Sequence, residues 1–210
     1  MPALTEANVR HLLRRTEFVD RPERVATLLA AASIADAVDD VVSVEASPPS
    51  VNFTATSNWE RGVELVNHWF DRMAHDAQRP FQERMALFWH GHFATSAAKV
   101  EDAELMHRQN ELLRKYALGD FQQLLLEISR DPAMLLYLDS ATNRKSHPNE
   151  NYARELFELH GLGAENYLGV VPLQIGDNGQ FVHPAPLGDD GIPSLYVDAD
   201  VYGATTCFTG

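Results

Sequence analysis

The chain has 210 residues, 45% hydrophobic and 22% charged, enough for a core-bearing soluble fold of one medium domain with an appendage. Thirty acidic against 17 basic residues leave a net charge of −13, which repels nucleic acid and anionic membrane, so neither is an expected partner. The single cysteine, Cys207, excludes an intramolecular disulfide and a cysteine-rich zinc site, and no apolar run approaches the roughly 20 residues of a membrane span. Residues 1–11 lack a basic start followed by an apolar run, so the chain as written is expected in the cytoplasm.

Helix signals repeat from the start to about Gly163. Thr5 can cap a helix to about Arg15. Asp20 with Pro22 and Glu23 reads as a capping box with proline in the first turn, opening a second helix to about Ala32. Ser33 with Asp36 opens a third. Ser47-Pro-Pro-Ser50 breaks the pattern, and a loop runs to Asn58. Ser57-Asn-Trp-Glu60 is another capping box, followed at helical spacing by Val63, Val66, Trp69, Phe70 and Met73. Pro80 opens a helix from Phe81 to about His92. The next is expected to run unbroken over 97–118 until Gly119 ends it. Asp120 with Gln123 caps 121–129, and Asp131-Pro132 caps a short helix to Leu138. A last helix has Pro148 near its first turn and Gly161 beyond its end.

The character changes at Gly163. Residues 166–194 are rich in Gly, Pro and Asp, and Val170-Val-Pro-Leu-Gln-Ile175 and Gln180-Phe-Val-His183 flank Gly176-Asp-Asn-Gly179, the pattern of a β-hairpin. Asp198 can cap a final helix that the chain leaves at Gly210. The expected fold is therefore all-α: a multi-helix, orthogonal or bundle-like domain over 1–163, a Gly/Pro-rich loop with a short hairpin over 164–197, and the start of a truncated helix over 198–210.

The chemistry concentrates in His147-Pro-Asn-Glu-Asn-Tyr-Ala-Arg-Glu-Leu-Phe-Glu-Leu-His-Gly-Leu-Gly163. At about 100° per residue, Glu150, Asn151, Arg154, Glu155 and Glu158 share an arc of roughly 140°, with Tyr152, Ala153, Leu156, Phe157 and Leu159 on the other side. Two readings of the polar face stand open. One is a solvated face with Glu150–Arg154 and Arg154–Glu158 pairs worth about 0.3–0.5 kcal/mol each. The other is a pocket wall in which Glu155 and Glu158 share a divalent metal or one proton, while Arg154 offers a fork to an anionic ligand. His160, near the last turn, is read as capping the helix end.

A second feature is Leu87-Phe-Trp-His-Gly-His-Phe-Ala94. His90 and His92 could chelate one ion only on extended chain, because a continuing helix points them about 160° apart. On a helix, His92 falls between Phe81, Met85 and Phe88 as a core histidine, and His90 lies near Glu83. Glu104-Leu-Met-His107 is half of the paired Glu-x-x-His pattern of di-metal bundles, without its second half. No nucleophile elbow, phosphate-cradling loop or dinucleotide fingerprint is present.

Several blocks resemble a bacterial family, domain of unknown function 1800. His11-Leu-Leu-Arg-Arg15 with Phe18 is similar to the family's opening, and Leu87-Phe-Trp-His-Gly-His-Phe-Ala-Thr-Ser96 to its central block. Gln109-Asn110, Leu113-Arg114 and Ala117-Leu-Gly-Asp-Phe121 are similar to the next block. Arg130-Asp-Pro-Ala-Met-Leu-Leu-Tyr-Leu-Asp139 and Asn143-Arg-Lys145 then lead into the motif helix as the family does.

The resemblance implies a largely helical protein whose activity is not established. Its members are often exported and encoded beside a family with a sulfatase-like fold, which implies a protein partner. It also implies one candidate polar cluster: Trp89, Asn149, Glu150, Asn151 and Arg154, with His90, His92, Glu155 and Glu158 as candidate ligands of a divalent metal. The chain departs from the family pattern where the hairpin precedes Tyr196-Val-Asp-Ala-Asp-Val201 and Phe208-Thr-Gly210, and it stops where the family's second half would begin. It is accordingly expected to be a truncated, N-terminal portion whose unpaired end favours self-association. Two functions follow as expectations: a structural or partner-binding protein with a polar network centred on the motif helix, or a metal-dependent enzyme, a hydrolase or its remnant, with a carboxylate–histidine site.

Overall fold

Short polar residues start most of the helices. In the computed structural model, which describes residues 4–47, 49–76, 79–172 and 174–209, Thr5, Ser33 and Ser57 each accept the backbone N–H three residues on. Ser33 and Ser57 also donate to Asp36 and Glu60, at 2.7 and 2.6 Å. Helices α1 (Glu6–Thr16), α2 (Pro22–Leu29), α3 (Ile34–Val42) and α4 (Asn58–Asp71) follow, α4 passing into a π turn over Arg72–Asp76. Next come α5 (Pro80–His92), α6 (Ala97–Val100), α7 (Ala103–Lys115), α8 (Phe121–Ile128) and α9 (Pro132–Tyr137). Helix α10 (Asn151–Glu155) continues as a π turn over Leu156–Gly161, and α11 (Asp198–Cys207) comes last.

The predicted all-α fold with a small hairpin is what the structure has. Strands β1 (Gln174–Ile175) and β2 (Phe181–Val182) pair antiparallel, Gln174 opposite Val182, around the expected Gly176–Gly179 turn. Pro48, Leu173 and Gly210, which fall in the predicted break, first strand and final Thr-Gly, lie outside the described residues.

Four local expectations fail for identifiable reasons. Asp20 forms no capping box. Its carboxylate takes Arg10 at 2.7 Å instead, and Arg21 stands at the start of α2 without a side-chain cap. The helix predicted over 97–118 breaks between α6 and α7, where Glu101 adopts a left-handed φ of 54° and Asp102 caps Glu104 and Leu105. Asn58 clamps the break, its amide donating to the Glu101 carbonyl at 2.7 Å and accepting from the Ala103 N–H at 2.8 Å. Asp198 is the first residue of α11, not its cap; Asp200 accepts the Val197 N–H at 2.8 Å.

The motif helix is the fourth case. It widens into a π turn, so Gly161 sits inside it rather than beyond it. A Cβ at Gly161 would come 2.9 Å from the Leu156 carbonyl oxygen, so only glycine fits. The wider turn also rotates Leu159 off the apolar side, leaving it 60% exposed.

The chain forms two compact units, Met1–Ile128 and Ser129–Gly210, while the change in composition comes later, at Gly163. In the first unit Val9, Leu13, Val25, Leu28, Ala37 and Val41 seal α1–α3, with Phe81 of α5 packed against them. In the second, Ala153, Tyr196 and Val201 form the centre, flanked by Phe157, Tyr167 and Phe208. No helix among the described residues is long and apolar enough to cross a membrane.

Candidate functional site

In the second unit, α10 presents Arg154 to three carboxylates. Its guanidinium meets Glu150 at 3.1 Å, Glu158 at 3.2 Å and Asp198 of α11 at 3.2 Å, and remains 28% exposed. Tyr167 donates to the same Asp198 oxygen at 2.7 Å. That hydroxyl, together with Arg154, holds the Asp198 carboxyl below the usual aspartate range. Both predicted i,i+4 pairs are therefore present, and Asp198 extends them to a second helix.

Asn149 serves the backbone and Asn151 a neighbouring carboxylate. The Asn149 side chain accepts the Asn151 N–H at 2.9 Å, and Asn151 donates to Asp139 at 3.3 Å. Asn143, buried, accepts from the Asn149 N–H and donates to the Thr205 carbonyl of α11. Glu155 is half-buried, and its carboxyl is pushed upward by burial first and then by the charge of Glu158. His160 is buried with its ring 6.2 Å from Tyr152.

In the first unit, α5 remains helical through His92, so the condition under which the histidine pair could chelate is not met. The His92 ring packs against Phe93 at 4.7 Å, Trp89 at 5.8 Å and Phe121 at 6.3 Å. Trp89 stacks on Phe93 and Phe121 and donates its indole N–H to the Ala117 carbonyl at 3.0 Å. His90 is half-buried beside Trp69, ring centres 5.3 Å apart, and Trp69 in turn donates to Glu83 at 3.2 Å. Glu104 and His107 part company: Glu104 takes Arg61 at 2.7 Å, and His107 takes Ser50 at 2.6 Å. Within neither unit do three or more His, Cys, Asp or Glu side chains of the described residues gather as a metal-holding group.

The buried centre of the first unit was not foreseen. Glu83, fully buried on α5, accepts from Arg114 of α7 at 2.7 and 3.1 Å and from Arg72 of the π turn at 2.9 Å. Burial alone would raise the Glu83 carboxyl, but the two guanidinium groups outweigh it and hold it below the ordinary value. Arg114 also binds the Asn110 side-chain carbonyl, and Arg72 reaches Glu45 at 3.0 Å. The sequence signal was slight, because α5 spreads its apolar residues around the whole helix and no face marks Glu83 as inward.

A cleft of about 530 Å³ shares Trp69 and Asn110 with this network. Its walls include Trp59, Val63, Val66 and Trp69 of α4, His90 of α5 and Met106 of α7. Trp59 is 79% exposed, so the apolar spacing read along α4 marks an open surface and not a core seam.

Three histidines of this unit are held below the ordinary imidazole value of 6.5, each first by burial: His68, His90 and His107. The unfolded chain thus binds protons that the folded one refuses, so this contribution is present above about pH 6.5 and is lost as pH falls. The thermal midpoint is expected to drop between pH 7 and pH 5, less steeply in His90→Phe. An identical slope in that variant would show that His90 has no part in it. The depressed carboxyls of Glu83 and Asp198 act lower, their stabilisation fading as pH falls below the usual carboxylate values of 4.5 and 3.8.

Comparison with curated proteins and with solved structures returns no match. A family model described as a protein of unknown function (DUF1800) matches residues 11–210, beyond Gly163 where the motif blocks stop. The order of those blocks and the extent of that match agree: the chain belongs to the family of domain of unknown function 1800.

Proposed function

We propose that this chain is a helical binding protein that recognises its target through the cleft between α4, α5 and α7 of the first unit, and that the motif-helix network holds the second unit together. The observation that carries the reading is the cleft itself, about 530 Å³ of concave surface rimmed by exposed aromatic and aliphatic side chains. Ligand sites are concave and mostly apolar with few polar groups, and His90 and Asn110 are such groups here. The Glu83–Arg72–Arg114 network fixes two wall residues, Trp69 and Asn110, as a site with fixed geometry requires.

In the motif helix, Arg154 already engages three carboxylates, which supports a locking role over an open fork for an anionic ligand. Arg154→Ala should lower stability by about 1–2 kcal/mol, since a partly exposed network contributes less than a buried one. Denaturant melts check this, and an unchanged midpoint would remove the lock.

A protein partner, including a sulfatase-like neighbour, and self-association are finer forms of the same proposal, supported by Trp59 and Phe70 standing exposed on α4. Light scattering across a concentration series tests self-association. The proposal also keeps the chain in the cytoplasm, where the exposed Cys207 stays a thiol; fractionation of the native source tests this.

The alternative, a metal-dependent hydrolase, draws on Glu155, whose raised, half-buried carboxyl next to Glu158 is the kind of group that holds a proton or an ion. Glu155 and Glu158, together on the motif helix of the second unit, are its candidate ligands there; His90 and His92 belong to the first unit and are candidates only separately. Stoichiometric metal in the purified protein, with a melting point lowered by chelator, would favour it.

A further inference from the structure

We infer that the cleft of the first unit takes a small neutral molecule with a flat apolar body, anchored by a hydrogen bond to His90. The inference rests on the binding reading above and gives it a ligand class. Three observations converge. The first is size: about 530 Å³ suits a small organic molecule. The walls are the faces of Trp59 and Trp69 with Val63, Val66, Ala98 and Met106, which favour a flat apolar body.

The second is the polar complement. His90 has no hydrogen-bond partner among the described residues, although it lies in the cleft wall. Asn110, buried in the same wall, has its amide oriented by Arg114, which leaves the side-chain nitrogen without an acceptor among the described residues. The described residues lining the cleft include no Lys or Arg but do include Asp102, and the guanidinium groups of Arg72 and Arg114 are ion-paired with Glu83, which disfavours an anionic ligand. Burial holds His90 in its neutral form at pH 7, able to donate from one ring nitrogen and accept at the other. A carbonyl or hydroxyl on the ligand matches that group.

The third is Gly62, within α4 and on the cleft wall. A glycine inside a helix costs about 1 kcal/mol relative to alanine. A Cβ at Gly62 would meet nothing within 4 Å, so packing does not demand the glycine. Its consequence is open space in the cleft.

The test uses prodan, a neutral naphthalene ketone whose emission shifts to the blue in an apolar site, with 2-acetylnaphthalene and 2-ethylnaphthalene as competitors differing in the carbonyl. The wild-type chain should bind prodan saturably, one per chain, and 2-acetylnaphthalene should displace it about tenfold better than 2-ethylnaphthalene, the worth of one hydrogen bond. His90→Phe, which keeps a ring of similar size, should erase that preference. Gly62→Leu should fold, with its melting point unchanged or raised, and lose prodan binding.

Equal displacement by the two naphthalenes would overturn the polar anchor while leaving a binding cleft in place. Prodan binding that survives Gly62→Leu would put the probe elsewhere, such as the hollow of about 460 Å³ lined by Phe18, Phe70 and Leu87. A wild-type chain that binds no prodan, and that scatters as a dimer or holds a protein in the cleft, would overturn the small-molecule occupant. No probe and no partner together would sink the binding reading itself.

Discussion

Glu83→Ala is expected to cost about 3–5 kcal/mol, a large share of the 5–15 kcal/mol that holds a typical domain. The carboxylate is fully buried and is the common acceptor for Arg72, Arg114 and the Trp69 indole. Removing it leaves two guanidinium groups, 3% and 1% exposed, with Glu45 as the remaining carboxylate on Arg72 and only the neutral Asn110 amide on Arg114. The loss is therefore one of uncompensated buried charge and not of one bond. Glu83→Gln should recover part of it, because an amide oxygen still accepts from one guanidinium but carries no charge. Urea melts of both variants decide the matter. A loss below about 1 kcal/mol for Glu83→Ala would mean that solvent reaches the network and that it does not fix Trp69 and Asn110.

Tyr152→Ala should cost a similar amount, about 3–5 kcal/mol, in the other unit. The Tyr152 side chain is 1% exposed, meets Phe208 of the C-terminal segment edge-on at 5.0 Å and lies 6.2 Å from the His160 ring. Burial also pushes its hydroxyl up to about 12, so the group stays neutral across the working range. Truncation would open a ring-sized void at the contact between α10 and the end of α11. Tyr152→Phe, which keeps the ring, should lose about 1 kcal/mol or less. If the two variants melt alike, the ring is not what joins these elements.

The contrast between Glu83 and Arg154 explains how much of this protein could be read in advance. The helices with short polar caps were legible because a cap is a local event: Thr5, Ser33, Ser57 and Asp131 each bind a backbone N–H within three residues. The Glu150–Arg154–Glu158 ladder was legible for the same reason, since residues four apart on a helix meet without help from the rest of the fold. What failed was settled by partners distant in sequence. Asn58 reaches 43 residues along the chain to hold the α6–α7 break, and Arg114 reaches 31 to find Glu83.

Asp198 illustrates the same limit from the other side. As a residue near a helix start it looked like a cap, and only the fold could reveal that Arg154 and Tyr167 compete for its oxygen. The apolar spacing of Val63, Val66 and Phe70 was read correctly as a helix face. Periodicity carries no information on what covers a face, and here the face stays open.

The central claim, recognition through the first unit's cleft and not through the motif helix, is tested most directly by the three tryptophan indole signals in a ¹H–¹⁵N spectrum. Trp59 and Trp69 line the cleft, whereas Trp89 is committed to the Ala117 carbonyl between Phe93 and Phe121. Addition of 2-acetylnaphthalene is predicted to move the Trp59 and Trp69 indoles and the Asn110 side-chain amide, with Trp89 and the amides of Glu155 and Glu158 unmoved. Shifts gathered on Glu155 and Glu158 with Trp59 and Trp69 still would contradict the account and return the chemistry to the motif helix.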